Sequence, residues 1–437
     1  MAGKTGIVAA MALVLALGAC SERDVILPGE RLSLRGEPAV ADPAPGSAAI
    51  RLPAALANAD WAQSPVSPGA RTTHAALAET LTPLWRVDIG AGDGRRKRIV
   101  VDPVAADGRI FAMDADHQIS AVSAAGAVLW RHTLVPPRDL AEQGQGGGLA
   151  VAGDTLFVAS GFGTLTAFDV ATGAVRWEQA LDATATGAPS VFGGLVYLTE
   201  GDRAAVAVEA DNGRLRWRLT GSGDLDNVAG APAPAISGDR VVFAFGDSSV
   251  QAAFRQGGLR LWRAEVAGAR VGLSRAVFDD ITGDPVIVGD TVYAGSHSGR
   301  MVAMNIFDGD RLWTADEGAL GPVWPAGGSL FFVNDSNELV RMNAASGAVI
   351  WRQALPGYQP VRNPNRRRDR AFVNHGPVLA GGRLIVAGSD GVLRSFAPED
   401  GAALATVSLG DGATTRPIVA QGTLYVVTRD GALVAYR

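Results

Sequence analysis

Ala167-Phe-Asp-Val-Ala-Thr-Gly173-Ala-Val-Arg-Trp177 decides the fold, because its second half returns along the chain. A tryptophan stands four residues after a glycine at Gly126/Trp130, Gly173/Trp177, Gly213/Trp217, Gly258/Trp262, Gly309/Trp313 and Gly347/Trp351. Trp85 belongs to the same series, and Gly401-Ala-Ala-Leu-Ala405 is a copy whose tryptophan is replaced by alanine. Successive positions lie 38 to 54 residues apart. Such a period marks a repeat architecture, and ~40–45 residues per unit suits a four-stranded propeller blade.

The residues around the quoted stretch complete one unit. Leu149-Ala-Val-Ala, Thr155-Leu-Phe-Val-Ala-Ser, Leu165-Thr-Ala-Phe-Asp-Val and Val175-Arg-Trp177-Glu-Gln-Ala-Leu181 are period-two runs separated by glycine and aspartate. That is the pattern of four antiparallel strands with tight reversals. One such sheet cannot bury both faces, whereas sheets stacked radially can. Trp85, Trp130, Trp177, Trp217, Trp262, Trp313 and Trp351 are therefore expected to pack between neighbouring blades. Each indole would remove ~150–250 Å² from water, which at ~25 cal/mol per Å² is at most a few kcal/mol.

A strand count predicts how the ring closes. The chain ends on three strands, Ile418-Val-Ala, Leu424-Tyr-Val-Val and Leu433-Val-Ala-Tyr-Arg437. Pro83-Leu-Trp-Arg-Val-Asp88 is a fourth-strand pattern with no three strands before it. Joined, they make an eighth blade and remove the open edge. The fold class is thus all-β, an eight-bladed propeller of four-stranded antiparallel blades over residues 81–437, with seven blades as the alternative.

Residues 1–19 read as a secretory signal: Lys4 is its charged start, and residues 6–17 form an apolar run too short to span a bilayer. The run ends in Leu17-Gly-Ala-Cys20, which resembles a bacterial lipobox. The resemblance implies acyl chains on Cys20, and Ser21 in the next position implies the periplasmic face of the outer membrane. Cys20 is the chain's one cysteine, so no internal disulfide is available. Residues 20–80 are rich in Pro, Ala, Gly and Ser and read as a flexible tether. Two more apolar patches in it, residues 25–32 and 58–61, are able to dock on the ring.

The net charge of −5 excludes a polybasic nucleic-acid surface. The basic runs 95–98 and 366–368 read as solvated loops. His74, His117, His132, His297 and His375 show no metal-ligand spacing. The longest connections, 134–148, 220–234, 266–285 and 356–376, all follow a tryptophan strand. They should emerge on one face, and insertions on one face of a repeat protein form its binding surface. Residues 223–232 and 275–281 mix apolar side chains with carboxylates, the make-up of a protein contact.

The repeat Ala167-Phe-Asp-Val-Ala-Thr-Gly173-Ala-Val-Arg-Trp177 resembles the pyrroloquinoline-quinone-type propeller repeat, A-x-D-x-x-T-G-x-x-x-W. One branch of that repeat is the quinoprotein dehydrogenases, with a quinone and a calcium in the ring centre and, in many members, paired cysteines. This chain has no cysteine in the ring and no obvious calcium cluster. The other branch is the BamB lipoprotein family of the outer-membrane β-barrel assembly machinery. The lipobox, the tether and the eight repeats resemble it throughout. That resemblance implies a non-catalytic scaffold without a cofactor or metal, binding the POTRA domains of BamA through loops on one face. The family's contact segments map near Val228, with Ala229 where the family has arginine, and near Asp279 and Asp280 ahead of Pro285. A quinoprotein dehydrogenase-like enzyme and an envelope ligand-binding propeller remain the alternatives. The latter would need exposed aromatic side chains, and Trp61 and Trp324 are the two tryptophans outside the repeat.

Overall fold

In a computed structural model, the stretch read as one unit forms four strands: Gly147–Ala152, Thr155–Ser160, Thr164–Asp169 and Val175–Ala180. They pair antiparallel in sequence order. The structure describes residues 46–67, 72–201, 204–221, 232–266, 268, 270, 281–360, 362 and 371–437. The turn before the tryptophan strand explains the D-x-x-T-G pattern. Asp169 Oδ1 accepts from the backbone N–H groups of Ala171 and Thr172 and from the Thr172 hydroxyl. The Gly173 N–H donates to the Asp169 carbonyl at 2.8 Å, with φ at +73°, where a side chain is strained.

Seven further sheets repeat this order. By residues, blades I to VII are 104–133, 147–180, 190–220, 235–265, 286–315, 324–354 and 374–408. Blade VIII joins three strands of 418–436 to Pro83–Asp88, which pairs with Ala432–Tyr436. The ring therefore has eight blades, closed by strands from both ends of the repeat region, as the strand count predicts. The first strand of each blade lies at the centre and the fourth at the rim. The second strands of blades II and III are buried along their whole length, while rim strands alternate exposed and half-buried.

Each pairing of third and fourth strands that carries a repeat tryptophan contains a register shift. In all seven blades the shift comes beside that tryptophan. Such a bulge sharpens the local twist. It also sets the indole opposite a small residue: Ala121↔Trp130, Ala167↔Trp177, Ala207↔Trp217, Ala252↔Trp262, Ala303↔Trp313 and, in blade VIII, Ala435↔Trp85. Arg341↔Trp351 is the exception. The first alanine of the A-x-D motif is thus the floor on which the tryptophan lies.

The region 20–80, read as a flexible tether, needs correction where it is described. Residues 46–67 and 72–80 are packed on the ring. Trp61 is 3% exposed and pairs with Ala105, and Ala75 pairs with Ala380 of blade VII. Composition reads as a linker here because Pro, Ala and Ser form no strand pattern of their own. What orders the segment is the ring surface beneath it.

Candidate functional site

The blade joints come first, because they hold rigid whatever the loops present. Trp85, Trp130, Trp177, Trp217, Trp262, Trp313 and Trp351 each donate Nε1–H to a carbonyl of the next blade. The acceptors are Ala124, Val170, Ala210, Arg255, Ile306, Ala344 and Pro398, at 2.8–3.2 Å. Each acceptor lies just ahead of the next repeat glycine, and that glycine lies under the indole. A Cβ built on Gly173 would stand 2.6 Å from the Trp130 ring, and the other six glycines are equally close-packed. So the glycine and tryptophan of one motif serve two different joints. The eighth joint has neither member: Ala405 replaces the tryptophan and Leu81 stands at the glycine position. There Leu81 is buried and the Tyr436 hydroxyl donates to the Ser408 carbonyl at 2.9 Å.

Strands alternate in direction, so the rim-to-centre connections emerge on one face together with the turns between second and third strands. Val228, Asp279 and Asp280 lie outside the described residues, as do Cys20 and the basic run 366–368. The roots of their loops are described. Asp284, which closes the 266–285 loop, accepts from the Ala233 N–H at 2.7 Å, so the ends of the loops carrying Val228 and Asp279/Asp280 are tied together. Arg270, within the same loop, grips Asp335 of blade VI through Nε and Nη2, both at 2.8 Å, and reaches Glu317 at 3.3 Å. Both carboxylates are buried, and the hydrogen bonds from Arg270 to Asp335 hold its guanidinium well above the usual arginine range. Arg352 binds Glu317 from the other side at 2.5 Å.

Two more loops share this face. The 356–376 loop is held by Asn337 and Asn374, both donating to the Pro356 carbonyl, and Tyr358 in it is 54% exposed. The 134–148 loop leans on the basic run: Arg96 pairs with Glu142 at 3.6 Å, and Gln145 donates to the Arg96 carbonyl. Lys97 and Arg98 of that run pair with Asp116 and Asp93.

At the ring centre the same face opens into a cavity of about 490 Å³. Arg416 lies at its base. Its Nε donates to Asp102 at 2.5 Å, Nη1 to Asp284 at 3.1 Å and Nη2 to the Ser64 hydroxyl at 2.7 Å. Burial alone would lower the Arg416 pKa, but Asp102 and Asp284 more than offset it. His375, beside them, is held neutral: burial pulls its pKa down to about 4. The residues behind this cluster share a sequence signal outside the tryptophan motif. Asp102, Ala188, Ala233, Asp284, Gly321, Gly376 and Arg416 each precede a proline at the entry to an inner strand. Proline forces its predecessor into extended backbone, and three of these seven predecessors are charged.

A quinone with calcium, which the enzyme branch of the repeat implies, does not fit these residues. The carboxylates of Asp102 and Asp284 already hold a guanidinium, which would oppose a cation. Among the described residues, no three His, Cys, Asp or Glu side chains converge for a metal. Trp61 and Trp324 stack on each other at 5.9 Å, both buried, so neither offers a ring to a ligand.

The fold and its joints define a propeller built of pyrroloquinoline-quinone-type repeats. The family model for the outer membrane protein assembly factor BamB matches residues 115–353 and 338–437, and the chain belongs to that family. Relatives with that name include one from Yersinia pestis, 22% identical over 81% of this chain and 88% of its own length. Another, from Shewanella oneidensis, is 23% identical over 87% of this chain and 94% of its own. Among solved structures, BamB from Moraxella catarrhalis superposes with a TM-score of 0.68 at 18% identity, over 82% of this chain and all of the other. A quinohemoprotein alcohol dehydrogenase from Comamonas testosteroni superposes at 0.67 and 14% identity, over 87% of this chain and 81% of its own. At such identities the likeness is one of fold.

Proposed function

We propose that this chain is a non-catalytic scaffold subunit of the outer-membrane β-barrel assembly complex. It aids folding and insertion of outer-membrane proteins, and it does so by binding the POTRA domains of BamA. The supporting observation is the family match across most of the chain, whose description is that of an assembly factor. Acyl chains on Cys20 hold it to the periplasmic face of the outer membrane. More than one acyl chain is needed for a stable anchor, and a lipobox cysteine carries several.

The loop face is the contact surface in this reading, with Val228 as its apolar anchor and Asp279 and Asp280 as its charged rim. The roots of those loops favour it: Arg270 and Asp284 fasten the loop ends to blade VI and to each other, which lowers the ordering cost of binding. The carboxylates at the ring centre, Asp102 and Asp284, already hold Arg416, which also speaks for a scaffold over a quinone enzyme.

Calorimetric titration of the mature chain against the POTRA domains of its own organism's BamA tests this. Binding should be measurable, and Asp279→Lys with Asp280→Lys should weaken it at least about tenfold, since like charge at a rim costs ~1.4 kcal/mol or more. Binding that survives the double substitution moves the site to another loop. No binding to folded POTRA domains contradicts the proposal.

A further inference from the structure

The inner strands of the eight blades leave their inward edges unpaired within their own sheets. Such edges are templates for an added chain. Around the channel, several of these edges are occupied by one segment, residues 58–66. The Trp61 N–H and carbonyl exchange bonds with Ala105 of blade I at 2.7 and 2.8 Å. The Ala62 carbonyl accepts from Val151 of blade II at 2.7 Å. The Gln63 amide mimics a strand at blade III, accepting from the Val191 N–H at 2.8 Å and donating to its carbonyl at 3.0 Å. Asn58 donates to the Val419 carbonyl of blade VIII at 2.6 Å and accepts from the Gln421 N–H. Ser64 reaches Arg416 and Asp284, and Trp61 lies against Trp324 of blade VI.

None of the seven tryptophan–glycine joints uses a residue of this segment, and neither does the pairing of Pro83–Asp88 with Ala432–Tyr436. The ring is closed by its own parts. We propose that the channel is a peptide-binding site for extended chain, and that residues 58–66 are its resident ligand, held by strand-edge pairing and by Trp61. The segment stops the channel from the side opposite the loop face, leaving a blind cavity floored by Ser64 and Arg416. This holds whatever the loop face binds.

The test uses the full mature chain with residues 68–71 replaced by a protease recognition sequence. After cleavage, the N-terminal fragment should stay with the ring through size-exclusion chromatography. Excess labelled synthetic peptide covering residues 46–67 should then displace it, and binding of that peptide should saturate. A Trp61→Ala peptide should bind at least about tenfold more weakly, the loss expected for a buried indole. Three results would overturn the proposal. The fragment leaves on cleavage while circular dichroism shows an intact ring. Cleavage unfolds the ring, which makes the segment part of the fold. Or the Trp61→Ala peptide displaces the fragment as well as the natural one does.

Discussion

A Cβ on Gly213 would stand 2.6 Å from the Trp177 ring, whereas one on Gly194 would meet nothing within 4 Å. Both residues have positive φ, +76° and +79°. Alanine at Gly194 therefore pays for backbone strain alone, about 1 kcal/mol, while alanine at Gly213 adds overpacking and should cost about 3 kcal/mol. Urea unfolding of the two variants reads the difference, which isolates the contribution of one blade joint. His375 tests the ring centre in the same way. Its folded pKa is about 4 against an ordinary 6.5, because burial disfavours the charged ring. Between those values the unfolded chain takes up a proton that the folded chain refuses, so stability falls as pH drops through that window. His375→Gln should lose less stability between pH 7 and 4.5 than the unsubstituted chain, measured by thermal melts. The repeat tryptophans and glycines were legible in the sequence because they recur. Asp102, Asp284 and Arg416 were not, because a charge before a proline has no period. Only the ring brings residues 102, 284 and 416 to one point.

The connections between blades decide what this ring presents. In the 266–285 loop, the Arg270 side chain holds two buried carboxylates, Glu317 between blades V and VI and Asp335 of blade VI. Removing it leaves Asp335 buried without its bidentate partner, while Glu317 keeps Arg352. Arg270→Ala should destabilise the protein by about 3 kcal/mol. It should also speed proteolytic cleavage within 266–285 more than elsewhere, followed by timed digestion and mass spectrometry. Cleavage spread evenly over the chain would mean that the arginine supports the blade and not the loop. Alternating strands and turn residues made the blades readable from sequence, and loop length marked which connections stand out. The packing of residues 46–67 and 72–80 was legible only at the apolar patch 58–61, and the rest was hidden for a physical reason. An added segment that pairs with preformed strand edges needs no periodicity of its own, only a Trp61 to bury and a Gln63 or Asn58 to imitate a backbone.

On the scale of the whole molecule, eight blades stacked through a repeated indole-to-carbonyl bond make a rigid disc with one elaborated face. Its centre holds residues 58–66 of the same chain beside a cavity of about 490 Å³. Such a body can hold a partner in a fixed orientation, and the family to which it belongs is described as an outer membrane protein assembly factor. The fold was readable because eight weak copies reinforce one another. The partner surface was readable only as a resemblance, since the residues that carry it, Val228, Asp279 and Asp280, follow no repeat. The most direct test of the scaffold role is isolation of the tagged, full-length protein from detergent-solubilised membranes of its own cell. The account predicts that BamA copurifies in near-equal amount from the outer-membrane fraction, and that Cys20→Ala shifts the protein out of that fraction. Recovery of the protein without BamA, from membranes in which BamA is present and folded, would contradict it.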